Sequence, residues 1–167
     1  MTPCAECGFD YDEALVPTAT STIRDYAAQY AALLTTADPA ALRTRTAPDI
    51  WSGLEYACHM RDVLLVQRER LLAARRAEIP PTAEPMGRDE RVEHDGYAAQ
   101  HPDDVARQLT DAAMLFTHAF DRLGPDDQRR ELVYSYPEPA HRSLRWLALH
   151  TVHELRHHLL DIRGQGF

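Results

Sequence analysis

Four histidines, His150, His153, His157 and His158, fall within nine residues near the C-terminal end of the sequence. Packing alone does not explain them, because an imidazole carries polar nitrogens that need partners once buried. At about 100° per residue, His150, His153 and His157 lie within about 60° of each other on a helix. His153 and His157 are one turn apart, so their rings leave the same face and can grip a single ion. On this wheel His158 turns about 100° away, toward solvent, and Glu154 and Asp161 point outward.

His153-Glu154-Leu155-Arg156-His157 matches the HExxH pattern of zinc proteases letter for letter. In that class the third ligand lies downstream, and only ten residues follow His157, with Asp161 the one carboxylate among them. No pattern predicts the sheet and groove that would hold a peptide. The protease reading is therefore set aside, and the third ligand is sought upstream.

His59 is the best candidate, on a helix face with Tyr56, Val63 and Val66 that points to the interior. Glu55 and Asp62 flank it at one turn, and either could fix the tautomer of a ligating imidazole. The expected metal triad is His59, His153 and His157. Three neutral imidazoles leave a coordination position open, as catalytic sites do. Such a set suits zinc, with nickel or iron as further options. Arg156 is placed to anchor an anionic substrate, and Tyr56 and His150 to donate protons, although packing or a salt bridge also suits each of them.

Cys4-Ala5-Glu6-Cys7-Gly8 resembles one turn of a zinc knuckle without its second cysteine pair. Three readings stay open: a disordered arm, a redox pair, or two ligands completed by histidines such as His94, His101 or His141.

The formal net charge of -8 argues against a nucleic-acid partner. Arg68, Arg70, Arg75 and Arg76 close a helix whose dipole favours cations there. No run approaches the roughly 20 apolar residues of a membrane span, and no leader peptide is recognisable. Three cysteines do not make a disulfide framework. The expectation is a soluble cytoplasmic protein acting on a small molecule.

Helices must position these groups. Apolar spacing predicts one over Thr18 to Ala37, ended by Asp38-Pro39, and a second from about Pro48–Ser52 to Ala77, stopped by Ile79-Pro80-Pro81. Residues 79–101 read as an irregular crossover, with a short helical turn near Glu93 to Gln100. A third helix runs from Pro102 to Leu123 and a fourth from Pro139 to Ile162. Glu131 to Tyr136 has strand character but is too short to define a sheet. The predicted fold is all-α, a four-helix bundle with a long crossover between helices two and three. Residues 1–16 form an N-terminal arm carrying the CxxC, and 17–167 the bundle.

Trp51-Ser52, Glu55, His59 and Asp62 on one helix, then His153-Glu154-x-x-His157-His158 on the last, resemble the DinB/YfiT-like superfamily over roughly residues 17–163. The resemblance implies a metal-binding four-helix bundle, a metal triad at His59, His153 and His157, and a homodimer. It also implies a low-molecular-weight thiol as cosubstrate, in a group that includes thiol-dependent transferases and isomerases. The expected function is divalent-metal activation of a thiol or water for S-transfer, isomerisation or hydrolysis of a small electrophile. The alternative is a non-catalytic metal- or small-molecule-binding bundle, a stress or self-resistance protein.

Overall fold

Side-chain caps mark where several of the helices begin. In the computed structural model, which describes residues 3–135 and 138–167, Asp12 caps a 3-10 helix, Glu13–Thr18, that runs into α1 (Ala19–Thr36). Asp38 caps α2 (Pro39–Arg43), whose first position is a proline with no amide to satisfy. Ser52 opens α3 (Gly53–Arg76) with a reciprocal capping box: its Oγ accepts from the Glu55 amide at 3.3 Å, and Glu55 Oε2 accepts from the Ser52 amide at 2.7 Å. Burial raises the Glu55 pKa, but the two hydrogen bonds donated by Arg45, at 2.8 and 2.7 Å, outweigh it and hold the carboxyl below its usual range.

The chain continues through β1 (Thr82–Ala83), α4 (Arg88–His94) and a 3-10 turn, Tyr97–Ala99. It then forms α5 (Pro102–Asp121), α6 (Pro125–Gln128), β2 (Glu131–Tyr134) and β3 (Ala140–Ser143). Ser143 caps the last helix, α7 (Leu144–Gly164), accepting from the Trp146 amide.

Four long helices of 18, 24, 20 and 21 residues (α1, α3, α5, α7) make the bundle. α1 packs on α5 and α7, and α3 packs on α5 and α7. Neighbours around the bundle are therefore α1, α5, α3, α7, and the chain crosses a diagonal from α1 to α3 and again from α5 to α7. The long 77–101 connection joins helices that are adjacent. The core between them is filled by side chains such as Ile23, Leu64, Leu109, Phe116, Leu147 and Leu155.

The all-α bundle stands, with one addition: a small three-stranded sheet at one end. β1 pairs parallel with β2, Ala83 opposite Tyr134, and β2 pairs antiparallel with β3, Glu131 opposite Ser143. The strand-like Glu131 to Tyr136 segment supplies β2, although Tyr136 itself lies outside the described residues. Pairing of 140–143 with β2 delays the start of α7 beyond the expected Pro139. The N-terminal segment is not loose: Cys7 and Phe9 belong to the core, and the Tyr11 ring stacks on Trp146 at 5.7 Å.

Candidate metal centre

α7 carries two interleaved pairs of donors, each pair one turn apart: His153 with His157, and Glu154 with His158. The pairs sit about 100° apart around the helix, so they face different neighbours. Glu154 and His158 face α3, and one donor atom from each lies with one from His59 inside a 4.8 Å group. His153 and His157 face the N-terminal segment, where they form a 4.8 Å group with Cys4 and Cys7. No such group among the described residues joins His59 to His153 and His157. The structure thus distributes the expected triad over two places.

The reason is orientation. His158, expected at the surface, has a side chain only 14 % exposed. Its ring lies 5.3 Å from that of His59 and 5.2 Å from that of Tyr56. Its Nδ1 lies 2.8 Å from Asp161 Oδ2, and as a carboxylate only accepts, Nδ1–H donates and Nε2 is left free. Burial opposes the charge on Asp161, but the bond from His158 and the neighbouring imidazoles prevail and hold its pKa low. Glu154, also expected outward, is 24 % exposed, and burial pushes its pKa up.

His59 is buried and edge-on to Trp51 at 5.1 Å. Burial lowers its pKa to about 3, so it is a neutral imidazole with a lone pair at neutral pH. Its Nδ1 has no hydrogen-bond partner among the described residues. An orphaned, neutral, buried imidazole beside a carboxylate and a second oriented imidazole fits a divalent cation in both charge and donor type. Glu55 and Asp62 play no part in orienting it. Glu55 serves the cap of α3, and Asp62 accepts from Tyr97 Oη at 2.6 Å and from Arg61 and Arg91.

These three donors lie on the wall of a cavity of about 550 Å³, between α3, α7, the tip of the sheet and the segment leading into α4. Arg70 and Arg88 also line it. Arg70 is held over the Tyr134 ring, 4.9 Å from its centre, and donates to Tyr134 Oη and the Glu84 carbonyl. Val63, Met86 and Ala83 supply apolar wall, and Gln67 donates to Tyr134 Oη at 3.1 Å.

The remaining expected site residues fall out differently. Arg156 does not border the cavity; its Nη2 donates to the Cys7 carbonyl at 2.9 Å. Tyr56 packs beside His158 and Trp51. His150 borders the cavity, stacked on Trp146 at 4.6 Å, and burial lowers its pKa to about 3. Tyr11 Oη lies 2.8 Å from His150 Nδ1 and 2.9 Å from His153 Nδ1, joining the two rings. Two further trios on α7, His150–His153–Glu154 and His157–His158–Asp161, also cluster within 4.8 Å. Cys58 is buried in the core, its thiol pushed up to about 12. Sequence reasoning missed Glu154, His158, Arg70 and Arg88. The one available signal was the Glu154–His158 spacing, which equals that of His153–His157.

A family model described as the DinB superfamily matches residues 23–162. Comparison with curated proteins by sequence finds no match. Among solved structures, YfiT from Bacillus subtilis superposes with a TM-score of 0.81 at 15 % identity, covering 93 % of this chain and 87 % of that one. It is described as a probable metal-dependent hydrolase with an unusual four-helix bundle topology. A mycothiol-dependent maleylpyruvate isomerase superposes with a TM-score of 0.71 at 14 % identity, over 88 % of this chain and 60 % of the isomerase.

Proposed function

The chain belongs to the DinB superfamily, and on that premise we propose that it is a metal-dependent enzyme in which His59, Glu154 and His158 hold a divalent ion beside the cavity. The observation that carries this reading is the meeting of three donors from two helices on the wall of a cavity large enough for a small substrate. A divalent ion held there, zinc being the first expectation, would supply Lewis acidity and lower the pKa of a thiol or water.

The chain's own residues do the rest. Asp161 fixes the tautomer of His158 and leaves Nε2, 3.9 Å from Glu154 Oε2, with its lone pair available to the ion. Arg70 and Arg88 place positive charge across the cavity and select a substrate with an anionic end. Val63, Met86 and Ala83 exclude water beside the reacting group. The substrate is thus a small anionic electrophile, attacked by a low-molecular-weight thiol in S-transfer or isomerisation, or by water in hydrolysis. The descriptions of the two structural neighbours, a hydrolase and a mycothiol-dependent isomerase, support both options. A cytoplasmic setting suits its free cysteines, and the homodimer implied by the family is to be checked by light scattering.

The test is turnover of small unsaturated acids and carboxylate-bearing esters by protein purified without a metal-affinity step, with and without added thiol. Turnover that follows metal content and disappears in His59→Ala and His158→Ala supports the proposal. Stoichiometric binding without turnover of any such compound, with metal loaded, would replace it with the non-catalytic reading.

A further inference from the structure

Cys4, Cys7, His153 and His157 lie outside the His59 group, share no residue with it, and offer four donor atoms all within 4.8 Å of one another. We propose that they form a second metal site, a closed Cys2His2 zinc centre that fastens the N-terminal segment to α7.

The sulfurs are set by a knuckle. The Gly8 amide donates to the Cys4 carbonyl at 2.8 Å, the Cys4 amide donates to the Phe9 carbonyl at 2.9 Å, and Gly8 adopts φ +66°. That left-handed turn favours glycine. Backbone hydrogen bonding from Cys7 lowers the Cys4 pKa against the opposing effect of burial. Both cysteines are free thiols rather than a disulfide.

The imidazoles are each engaged on one nitrogen and open on the other. His153 Nδ1 lies 2.9 Å from Tyr11 Oη, while its Nε2 is buried without a hydrogen-bond partner among the described residues. His157 Nε2 lies 3.1 Å from Glu6 Oε2, so its Nδ1 is the free donor and faces Cys4 Sγ at 3.8 Å. Tetrahedral zinc, with bonds of about 2.3 Å to sulfur and about 2.0 Å to nitrogen, separates two such ligands by about 3.6 Å. The pair is long for a hydrogen bond and close to the spacing of two ligands on one ion. Two thiolates and two neutral imidazoles cancel the charge of Zn²⁺ and leave no position for substrate. The role is therefore structural, and Arg156, bound to the Cys7 carbonyl, braces the same junction.

One helix thus serves two ions with two i, i+4 pairs displaced by one residue. The experiment is metal analysis and cobalt substitution of the full chain. Two equivalents of divalent metal per chain are expected, and the cobalt form should show a thiolate-to-cobalt charge-transfer band. Cys4→Ser with Cys7→Ser should lose one equivalent and that band, whereas His59→Ala with Glu154→Gln should lose the other equivalent and keep the band. If the His59 pair of changes costs no metal while the cysteine pair does, this site stands and the proposed active site falls. Cobalt-loaded unmodified chain without a thiolate band overturns the proposal, whether or not the cysteine variant folds. So does a cysteine variant that retains all of its metal.

Discussion

Asp161 lies 2.8 Å from His158 Nδ1 and 3.8 Å from His157 Nε2, and at the His59 site it acts only by positioning His158. Asp161→Asn keeps the shape but loses the charge that orients the imidazole. Metal affinity at the His59 site should fall by about 10–100-fold, measured by chelator competition, and an unchanged affinity would detach Asp161 from the site. Arg70 should act on substrate alone. Arg70→Met is expected to raise KM for an anionic substrate by about tenfold while leaving kcat nearly unchanged. Loss of kcat with KM constant would instead place Arg70 in the chemical step. Both residues escape a linear reading for a plain reason. Asp161 looks outward until α3 and α7 are packed, and Arg70 looks like one more cation at a helix end until β2 brings Tyr134 beneath it.

At the scale of elements, Ser52 sets where α3 begins, within the Pro48–Ser52 start expected for the second helix. A buried serine three residues before Glu55 caps α3, and α3 delivers His59 to the site. Ser52→Ala should destabilise the fold by about 1–2 kcal/mol, read from chemical denaturation. A change within error would show that Arg45 and Glu55 suffice to start the helix. The helices themselves were legible because apolar periodicity and punctuation by Asp-Pro, Pro-Pro and Gly-Pro are local signals. The start of α7 was not, since residues 140–143 extend only because β2 is there to pair with them. The face of α7 was misjudged for a similar reason. A wheel orders His153, Glu154, His157 and His158 around the helix but does not say which neighbour each side meets.

For the whole molecule, several neutral imidazoles inside one fold create an acid liability. In the unfolded chain they protonate near the ordinary value of 6.5, whereas burial holds His59 and His150 to about 3 and His153 to about 4. Between those limits the unfolded state binds more protons than the folded one, so stability falls as the pH drops through that window. For the metal-free chain, melting temperature should decline from about pH 6.5 downward, and His150→Gln should flatten the decline. A melting temperature independent of pH across that range would contradict the burial of these rings.

The sequence by itself determined an all-α chain of four long helices, a His59-bearing helix, and a last helix crowded with histidine donors. It determined this because helical periodicity, caps and breakers act within a few residues. Only the tertiary structure decided that α1 and α3 lie across a diagonal, and that Glu154 and His158, rather than His153 and His157, meet His59. It also decided that the N-terminal cysteines reach α7. Those outcomes depend on contacts between segments up to 153 residues apart, where the packing of buried faces sets each helix's rotation, and no local pattern encodes that rotation.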